Sequence, residues 1–394
     1  MSSILFIAMM NGAPWGGSEE LWYAGALEAA RQGHKVGCVV YDWADKKPRM
    51  KVLEDAGCTI YYIPNKGRQK KTFSDRIENK ITKWKRIPEF LNALPVEEYD
   101  LVILNQGYFE ITLPVWKNFY KRLNRFVLVY HNYKEQERVK KSKAKILREW
   151  ISRASVNLFA SARIGQVLEE RLNMKIPNGK VLINPISFEP PQDYTAFPPL
   201  QDGNFRMVVV AALDVTRKAQ DKLVLALSGH RWLERNWTLH FYGAGRDEKK
   251  LKKLVKKKKL ADKILFEGHV NDVKKALEEA HILLQITHID AMPLAVVEAM
   301  AMSRPVVVSK IGDMPEWSIF NNNGWVCQDA SPEEIDRIMS LAWACRDDWH
   351  KMGRKSFDLF KEKFPASPAK YFLEQAGLNS DEYSREGGEA VSKG

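Results

Sequence analysis

Apolar runs of strand length alternate with helix-like stretches along this chain of 394 residues, and that alternation limits the folds open to it. In the first half the runs cover residues 4–9, 35–43, 59–64, 100–105, 125–132, 156–161 and 180–185. Each run is apolar along nearly its whole length, which indicates a strand that is buried on both faces. Strands of this kind, when helices separate them, form a parallel sheet with helices on both faces. We therefore predict an α/β fold built on a doubly wound sheet.

The pattern stops at residues 189–204, which are rich in proline and polar side chains, and then restarts. The second set of runs covers residues 205–213, 237–245, 263–270, 281–287, 305–310 and 324–328. We predict a first Rossmann-like domain over 1–190, a linker at 191–204 and a second Rossmann-like domain over 205–364. Because ligands bind beyond the carboxyl ends of parallel strands, we expect the two sheets to face each other across a cleft.

Helices are predicted near the C-terminus at about 332–346, 349–363 and 367–376. The break at Phe364-Pro365 separates the last two, because the residue before a proline disfavours helix. We expect a helix over about 365–378 to cross back and pack on the first domain. Residues 379–394 are polar and glycine-rich, which favours a disordered tail.

Composition indicates a soluble globular protein with a net charge of +12. No apolar run approaches the ~20 residues that span a bilayer, and MSSILFIAMM lacks the basic start and cleavage site of a signal peptide. We therefore expect a cytoplasmic protein. The four cysteines are scattered without metal-ligand spacing, so reduced structural thiols are expected.

The positive charge has three candidate partners: nucleic acid, an anionic membrane surface and anionic substrates. The run KKLKKLVKKKK at 249–259 resembles a nucleic-acid-binding segment at first sight. However, Leu251, Leu254, Val255 and Leu260 repeat at helical spacing, which favours a solvated outer helix. We expect no nucleic-acid partner.

The segment DAMPLAVVEAMAM at 290–302 lies between two strand-like runs. A helix is predicted to begin at Pro293 and to end before Pro305. Its only charge is Glu298, and a buried carboxylate needs a hydrogen-bond partner. The backbone N–H groups between Asp290 and Glu298 form an anion site at the helix N-terminus. The alternative is that Asp290 only caps the helix and that Glu298 pairs with a cation such as Arg304.

With these motifs in place, the chain resembles retaining glycosyltransferases of the GT-B fold, family 4. At a strand-to-helix turn, the family has an acidic residue that is followed by seven other residues and then by a glutamate. DAMPLAVVE matches this pattern in sequence and in position. The resemblance implies that Asp290 meets the donor sugar, that backbone from Ala291 through Met292, Pro293 and Leu294 meets the diphosphate, and that Glu298 meets the ribose. Asp290 replaces the usual glutamate, and Ala291 and Met292 replace the usual glycine and aromatic residue.

The resemblance also implies a role for the segment DVTRKAQDKLVLAL. Lys218 matches the family's phosphate-binding lysine, whereas Ala212 stands where an arginine is usual, and Arg217 is a candidate to supply the missing charge. The alternative is a solvated helix start. No DxD pair occurs, so we expect a metal-independent enzyme without a cofactor, using a nucleotide-diphosphate sugar as co-substrate.

Other segments match the family at single positions. Gly16 and Gly17 lie in a segment that matches the family's glycine loop. Glu19 and Glu20, which follow, could be helix-start residues and nothing more. His131 matches the histidine that reaches the transferred sugar, although a structural histidine is the alternative. The segments YGAG at 242–245 and FEGHV at 266–270 resemble family segments whose backbone frames the base and the phosphates. They contain Gly243, His269 and Val270.

Two basic segments, 66–94 and 138–150, are candidates for contact with the acceptor or with the membrane that carries it. The first has an apolar stripe at helical spacing flanked by lysines and arginines, which suits an anionic membrane surface or packing on its own domain. We expect transfer from a UDP-sugar, favoured over a GDP-sugar, to a glycan or lipid-linked acceptor in bacterial-type surface polysaccharide or glycolipid synthesis. A non-catalytic GT-B protein and a nucleic-acid-binding protein are the rival classes.

Overall fold

The computed structural model describes residues 1–8, 10, 15–63, 87–106, 119–133, 139–270 and 272–378. The chain forms two compact units. Unit 1 comprises Met1–Pro185 together with the chain from Ala366 onward, and unit 2 comprises Ile186–Pro365.

Unit 1 is built on a seven-stranded sheet in which every neighbouring pair of strands is parallel, in the order β3-β2-β1-β4-β5-β6-β7. The strands are Ser3–Ala8 (β1), Lys35–Tyr41 (β2), Thr59–Ile63 (β3), Leu101–Gln106 (β4), Phe126–Tyr130 (β5), Val156–Phe159 (β6) and Gly179–Val181 (β7). Each lies within one of the predicted apolar runs or extends it by one residue. The central strands are buried on both faces, as a parallel sheet requires.

In the part of unit 1 that the structure describes, helices and short 3-10 turns connect the strands, and one further helix comes from the C-terminal stretch. The helices are Gly17–Arg31 (α1), Lys47–Asp55 (α2), Ile87–Ala93 (α3), Lys141–Arg153 (α4), Ala162–Leu172 (α5) and the C-terminal helix Pro368–Gln375, with short 3-10 turns at Ala44–Lys46, Val96–Glu98 and Tyr120–Arg122. The C-terminal helix packs on α1, where a Cβ added at Gly25 would lie 2.6 Å from the ring of Phe372. Glycine at 25 therefore lets the two helices approach closely.

Unit 2 is built on a six-stranded parallel sheet in the order β10-β9-β8-β11-β12-β13. Its strands are Phe205–Val210 (β8), Trp237–Tyr242 (β9), Ile264–Gly268 (β10), Ile282–Gln285 (β11), Val306–Ser309 (β12) and Gly324–Cys327 (β13). Every one lies within a predicted run. The prediction of two doubly wound parallel sheets is thus confirmed.

The helices of unit 2 cover both faces of its sheet. They are Val215–Lys218 (α6), Gln220–Ala226 (α7), His230–Leu233 (α8), Glu248–Lys257 (α9), Val273–Glu278 (α10), Leu294–Ala301 (α11), Met314–Trp317 (α12), Pro332–Ala344 (α13) and Trp349–Lys363 (α14). On α9, Leu251 and Val255 are buried whereas the lysines at 252, 253, 256 and 257 are exposed. The solvated outer face predicted for this basic run is therefore present.

The predicted linker at 191–204 lies in unit 2 rather than between the units. Thr195 N–H donates to Ser303 Oγ (3.1 Å), and Ala196 C=O accepts from Arg304 Nη2 (2.9 Å). The ring of Phe197 packs against His281 with centroids 5.1 Å apart. These contacts fix an irregular segment on the unit, and the division between the units falls at Pro185. Proline and polar residues here indicate irregular backbone, not an independent linker.

The predicted basic segments are covered only in part. Residues 64–86 and 134–138 lie outside the described residues, and so does the predicted tail at 379–394. Within 87–94, α3 buries Leu91 completely in unit 1. Among the described residues, none of the helices has the length and apolar character needed to cross a membrane.

Candidate active site

The helix α11 lies at the carboxyl edge of the second sheet, after β11. Pro293 is its N-cap residue, with φ −70° and ψ 125°, so the helix begins at Leu294, one residue later than predicted. It ends at Ala301, before Pro305 as predicted. The residues from Ala295 to Ala301 are all buried, which explains why the sequence is apolar around the whole helix.

Asp290, in the loop before α11, forms an ion pair with Lys218. The ammonium group Nζ donates to Oδ2, and the other oxygen, Oδ1, accepts from the N–H of Ala291 at 3.0 Å. Both side chains are largely buried, with 14% and 16% of their surfaces exposed for Lys218 and Asp290. Asp290 therefore bonds to its own loop and to a lysine of another segment, instead of capping α11.

The short helix α6 carries Lys218 and is attached to the same loop. Asp214 caps it by accepting from the N–H of Arg217 at 3.3 Å. The carbonyl of Arg217 in turn accepts from the N–H of His288 (2.8 Å) and from Thr287 Oγ1 (2.6 Å). These bonds fix the position of Lys218 relative to the loop after β11. The Arg217 side chain is exposed on the same turn.

Glu298 lies one turn into α11 with 4% of its surface exposed. Its Oε1 accepts from both the N–H (3.0 Å) and the hydroxyl (2.7 Å) of Ser187. Arg304, the alternative partner, instead donates to the carbonyls of Leu277 (2.9 Å) and Glu278 (3.0 Å) besides that of Ala196. Burial lowers the pKa of Arg304 to about 10. No sequence signal pointed to Ser187, because it lies 111 positions from its partner.

Gly312, which the sequence analysis missed, supports the Asp290 loop from the end of β12. Its φ is +55°, and an added Cβ would lie 1.8 Å from the carbonyl oxygen of Ala291. The next N–H, of Asp313, donates to that carbonyl at 3.0 Å. Only glycine fits there, since both the backbone angle and the close approach require it. A glycine three residues after an apolar strand was the available signal.

Gly243 lies at the carboxyl end of β9, with φ +150°. An added Cβ would lie 2.0 Å from the carbonyl oxygen of Ala211, and its N–H donates to Gly268 C=O at 2.7 Å. Two other predicted residues come directly after Gly268: His269, which is exposed, and Val270, which is half-buried. The ends of β8, β9, β10 and β11 thus bring the predicted donor residues of unit 2 to one edge of its sheet, where parallel sheets bind ligands.

In unit 1, Gly16 and Gly17 lie at the start of α1. Gly16 is the N-cap residue with φ −178°, an extended conformation that any residue adopts. Residues 11–14 of the glycine loop lie outside the described residues.

Glu19 is more than a helix-start residue. It forms a fully buried ion pair with Lys46 (2.6 Å) and accepts from Trp22 Nε1 (3.0 Å). Burial raises the pKa of Glu19, and the charge of Lys46 opposes that shift. Glu20 pairs with Arg49 at 2.7 Å. These two pairs join α1 to Lys46 at the end of the 3-10 turn and to α2.

His131 follows β5 at the carboxyl edge of the first sheet. Its Nε2 lies 2.7 Å from Asn105 Oδ1, at the end of β4. Burial lowers the pKa of His131 to about 4. The imidazole is therefore neutral at pH 7, so any role for it in binding is that of a hydrogen-bonding group rather than a cation.

Residues 193–358, which include Lys218, Asp290 and Glu298, match the family model described as glycosyl transferases group 1. A curated relative from Haemophilus influenzae, described as an uncharacterized glycosyltransferase, is 29% identical over 107 residues, 27% of this chain and 30% of the relative. A poly(ribitol-phosphate) alpha-N-acetylglucosaminyltransferase from Staphylococcus aureus is 28% identical over 104 residues, 26% of this chain and 21% of the relative. Each match spans less than a third of the relative's own length.

The chain also resembles the crystal structure of Anabaena HepE in complex with UDP. The TM-score is 0.72 at 15% identity, over 96% of this chain and 100% of the HepE chain. A likeness at this identity shows the fold, and the fold is GT-B, with two Rossmann-like domains of parallel strands. Together with the family match, it supports the class of GT-B glycosyltransferases.

Proposed function

We propose that this protein is a glycosyltransferase that moves a sugar from a nucleotide-diphosphate sugar to a glycan or lipid-linked acceptor. The observation that carries the proposal is the Lys218–Asp290 pair beside the N-terminus of α11, within the segment that matches the glycosyl transferase family model. A cation, an acid and a helix start at one edge of a parallel sheet suit a ligand that has both a diphosphate and sugar hydroxyls.

The diphosphate would bind at the first turn of α11. The N–H groups of Met292, Leu294 and Ala295 lie where a helix offers unpaired donors and the positive end of its dipole. Lys218 and the exposed Arg217 would add positive charge from α6. In this proposal Ala291 through Leu294 would contact the phosphates, Asp290 a sugar hydroxyl and Glu298 the ribose.

The reaction would break the bond between the anomeric carbon and the diphosphate oxygen, with the electron pair leaving on the diphosphate. Lys218 and Arg217 would stabilise that charge, which lowers the barrier most in a site that holds its cations in place beforehand. The acceptor hydroxyl would form its bond to the anomeric carbon from the same face and pass its proton to the departing diphosphate oxygen, so that the anomeric configuration is retained. An ion pair and a covalent intermediate are the two routes to that outcome. Neither requires a metal in this scheme.

Binding and hydrolysis test the donor. A panel of UDP- and GDP-sugars is added to the full chain, and each thermal unfolding midpoint is compared with that of the free protein. We expect stabilisation by a UDP-sugar, since the similar fold of HepE is known in complex with UDP. Hits are then assayed for slow hydrolysis with and without EDTA, and the first-formed anomer is read by NMR. Full activity in EDTA and a retained anomer support the proposal, and loss of activity that added metal restores overturns metal independence.

A non-catalytic GT-B protein is the second candidate, favoured by Ala212 and Asp290, where the chain departs from the family pattern. Calorimetry separates the two. Binding of UDP together with turnover supports the enzyme, whereas no binding of any nucleotide in the panel supports the non-catalytic protein.

For the acceptor we propose an anionic membrane surface as the place of reaction. On α4, Ala144, Leu147, Trp150 and Ile151 are buried in unit 1, so this helix has no apolar face left for a bilayer. Its lysines at 141, 143 and 145 are exposed. The contribution of α4 would therefore be electrostatic, of about 1 kcal/mol per lysine near the surface, and would weaken with salt.

Liposome sedimentation at low salt tests the membrane proposal. Changing Lys141, Lys143 and Lys145 to glutamine should weaken binding to vesicles that contain anionic lipid. The matched control changes three exposed lysines of α9, at 249, 253 and 256, and alters the net charge equally. Equal losses for both triple variants, or no binding by the unmodified protein, contradict a membrane surface at α4.

A further inference from the structure

Asn105 connects three elements at the carboxyl edge of the first sheet. It is the penultimate residue of β4 and has 3% of its surface exposed. Its Nδ2 donates to the carbonyl of Ser18, in the first turn of α1, at 3.2 Å. On its other side Oδ1 lies 2.7 Å from Nε2 of His131, after β5. The amide thus lies between the start of α1 and the histidine.

These bonds determine which nitrogen of His131 carries the proton. The Ser18 carbonyl can only accept, so it requires the NH₂ end of the Asn105 amide on its side. The amide oxygen then faces His131, and because that oxygen can only accept, Nε2 must be the protonated nitrogen of the neutral ring. Nδ1 is left with a lone pair and no attached hydrogen.

The lone pair of Nδ1 has no hydrogen-bond partner within the part of the chain that the structure describes, although the atom is buried. A buried acceptor left unpaired costs free energy, and in a native protein it calls for an explanation. A ligand hydroxyl, which can donate to Nδ1, would remove that cost. The diphosphate of a nucleotide sugar carries no proton to donate at neutral pH and would not.

We propose that Asn105 is a positioning residue that holds His131 as the Nε2–H tautomer, and that Nδ1 is thereby the acceptor for the sugar hydroxyl that the family resemblance implies at this histidine. The part concerning the sugar rests on the proposed function. The part concerning the tautomer does not, since it follows from Asn105 and Ser18 alone. The neutral state of the ring at pH 7 is consistent with a pKa of about 4.

NMR of the ¹⁵N-histidine-labelled full chain tests the tautomer directly. The signals of His131 are assigned by their loss in His131→Gln. We expect a protonated Nε2 and a bare Nδ1 in the unmodified protein, and a mixture of tautomers in Asn105→Ala. The matched control is Asn157→Ala, which removes another buried amide of the same sheet, one that donates to Ile151 C=O (3.0 Å) and does not touch His131. A bare Nε2 in the unmodified protein, or an unchanged signal in Asn105→Ala, overturns the assignment.

Asn105→Asp keeps the acceptor but gives it a charge. The carboxylate stabilises the protonated ring, so we expect the pKa of His131 to rise while Nε2 remains protonated. An unchanged pKa overturns the contact itself.

The ligand part is read from the same sample. Adding the UDP-sugar that stabilises the protein should shift the Nδ1 signal, whereas UDP alone should not. Asn105→Ala should lower kcat about tenfold, the worth of one hydrogen bond, with little change in UDP affinity, and Asn157→Ala should leave both unchanged. A sugar that binds without moving Nδ1 overturns the ligand part. If no nucleotide sugar binds, the proposed function fails, and the tautomer spectra still decide the role of Asn105.

Discussion

Lys218 donates a hydrogen bond from its ammonium group to the carboxylate of Asp290, 72 residues further along the chain. The cation assigned to the diphosphate and the acid assigned to the sugar therefore neutralise each other. A diphosphate that reaches Lys218 has to compete with this carboxylate for the same three N–H donors. Asp290 would thereby set the affinity of the site as well as contact the sugar.

Asp290→Asn should tighten UDP binding about tenfold, because Lys218 loses its charged competitor while the loop keeps a side chain of the same size. Sugar transfer should fall at the same time, since the amide is a weaker acceptor for a sugar hydroxyl. Calorimetry with UDP measures the affinity. Asp348→Asn, which removes the exposed partner of Lys351 in the same unit, is the control and should leave UDP binding unchanged. Weaker UDP binding by Asp290→Asn would show that the pair does not compete with phosphate.

Glu298→Gln should weaken UDP binding about tenfold and barely change the thermal unfolding midpoint. The amide oxygen can still accept from Ser187, but a bond to a ribose hydroxyl would lose its charge assistance. Ser187→Ala is the companion variant. It should lower stability by about 1 kcal/mol and leave UDP binding unchanged. If both variants lower stability alike and neither changes UDP affinity, Glu298 has only a structural role.

Gly312→Ala should lower turnover by about a hundredfold, because the new Cβ would displace the Ala291 carbonyl and with it the Asp290 loop. Gly57→Ala is matched for backbone strain, since its φ is +88° and nothing lies within 4 Å of the added Cβ. Both variants should lose about 1 kcal/mol of stability from the positive φ. Only Gly312→Ala should lose activity in addition, and normal activity in that variant would mean that the loop position is not critical.

Acid should destabilise unit 2 through His281. Burial is the main reason that the pKa of its folded form is lowered to about 4, from the usual value of 6.5, and the nearby charges of Arg304 and Arg206 act in the same direction. Between those two values the unfolded chain binds a proton that the folded chain does not, so the free energy of unfolding falls as the pH falls. The slope approaches ~1.4 kcal/mol per pH unit for this one group.

Denaturant unfolding at a series of pH values measures that slope. His281→Asn should be less stable at pH 7 but should lose less stability on acidification. His230→Asn, at a side chain that is 87% exposed, is the control and should follow the unmodified protein. Parallel curves for all three proteins would contradict the assignment to His281.

The strands were predictable because parallel sheets bury both faces, and the apolar runs record this directly. The Asp290–Glu298 segment was recognisable for a similar reason, since Glu298 is the only charge on an otherwise apolar helix. Its partner was not, because Ser187 lies far away in the chain and carries no distinguishing neighbours. The Lys218–Asp290 pair also needed the fold, since both residues had been assigned separately to a ligand. Composition misplaced the linker, because its prolines and polar residues outnumber Tyr194 and Phe197, whose rings pack on unit 2.

The docking of the C-terminal helix on α1 means that unit 1 is formed from two stretches of chain that are separated by all of unit 2. A ribosome releases α1 long before it releases Phe372, so the surface around Gly25 stays uncovered while the rest of the first stretch of unit 1 and all of unit 2 are made. Closing such a long loop is slow compared with local folding. Unit 2 can complete its own core during this interval. Unit 1 completes its packing last, when the C-terminal helix docks on α1. A nascent chain stalled before residue 366 would therefore present an apolar helix face to chaperones.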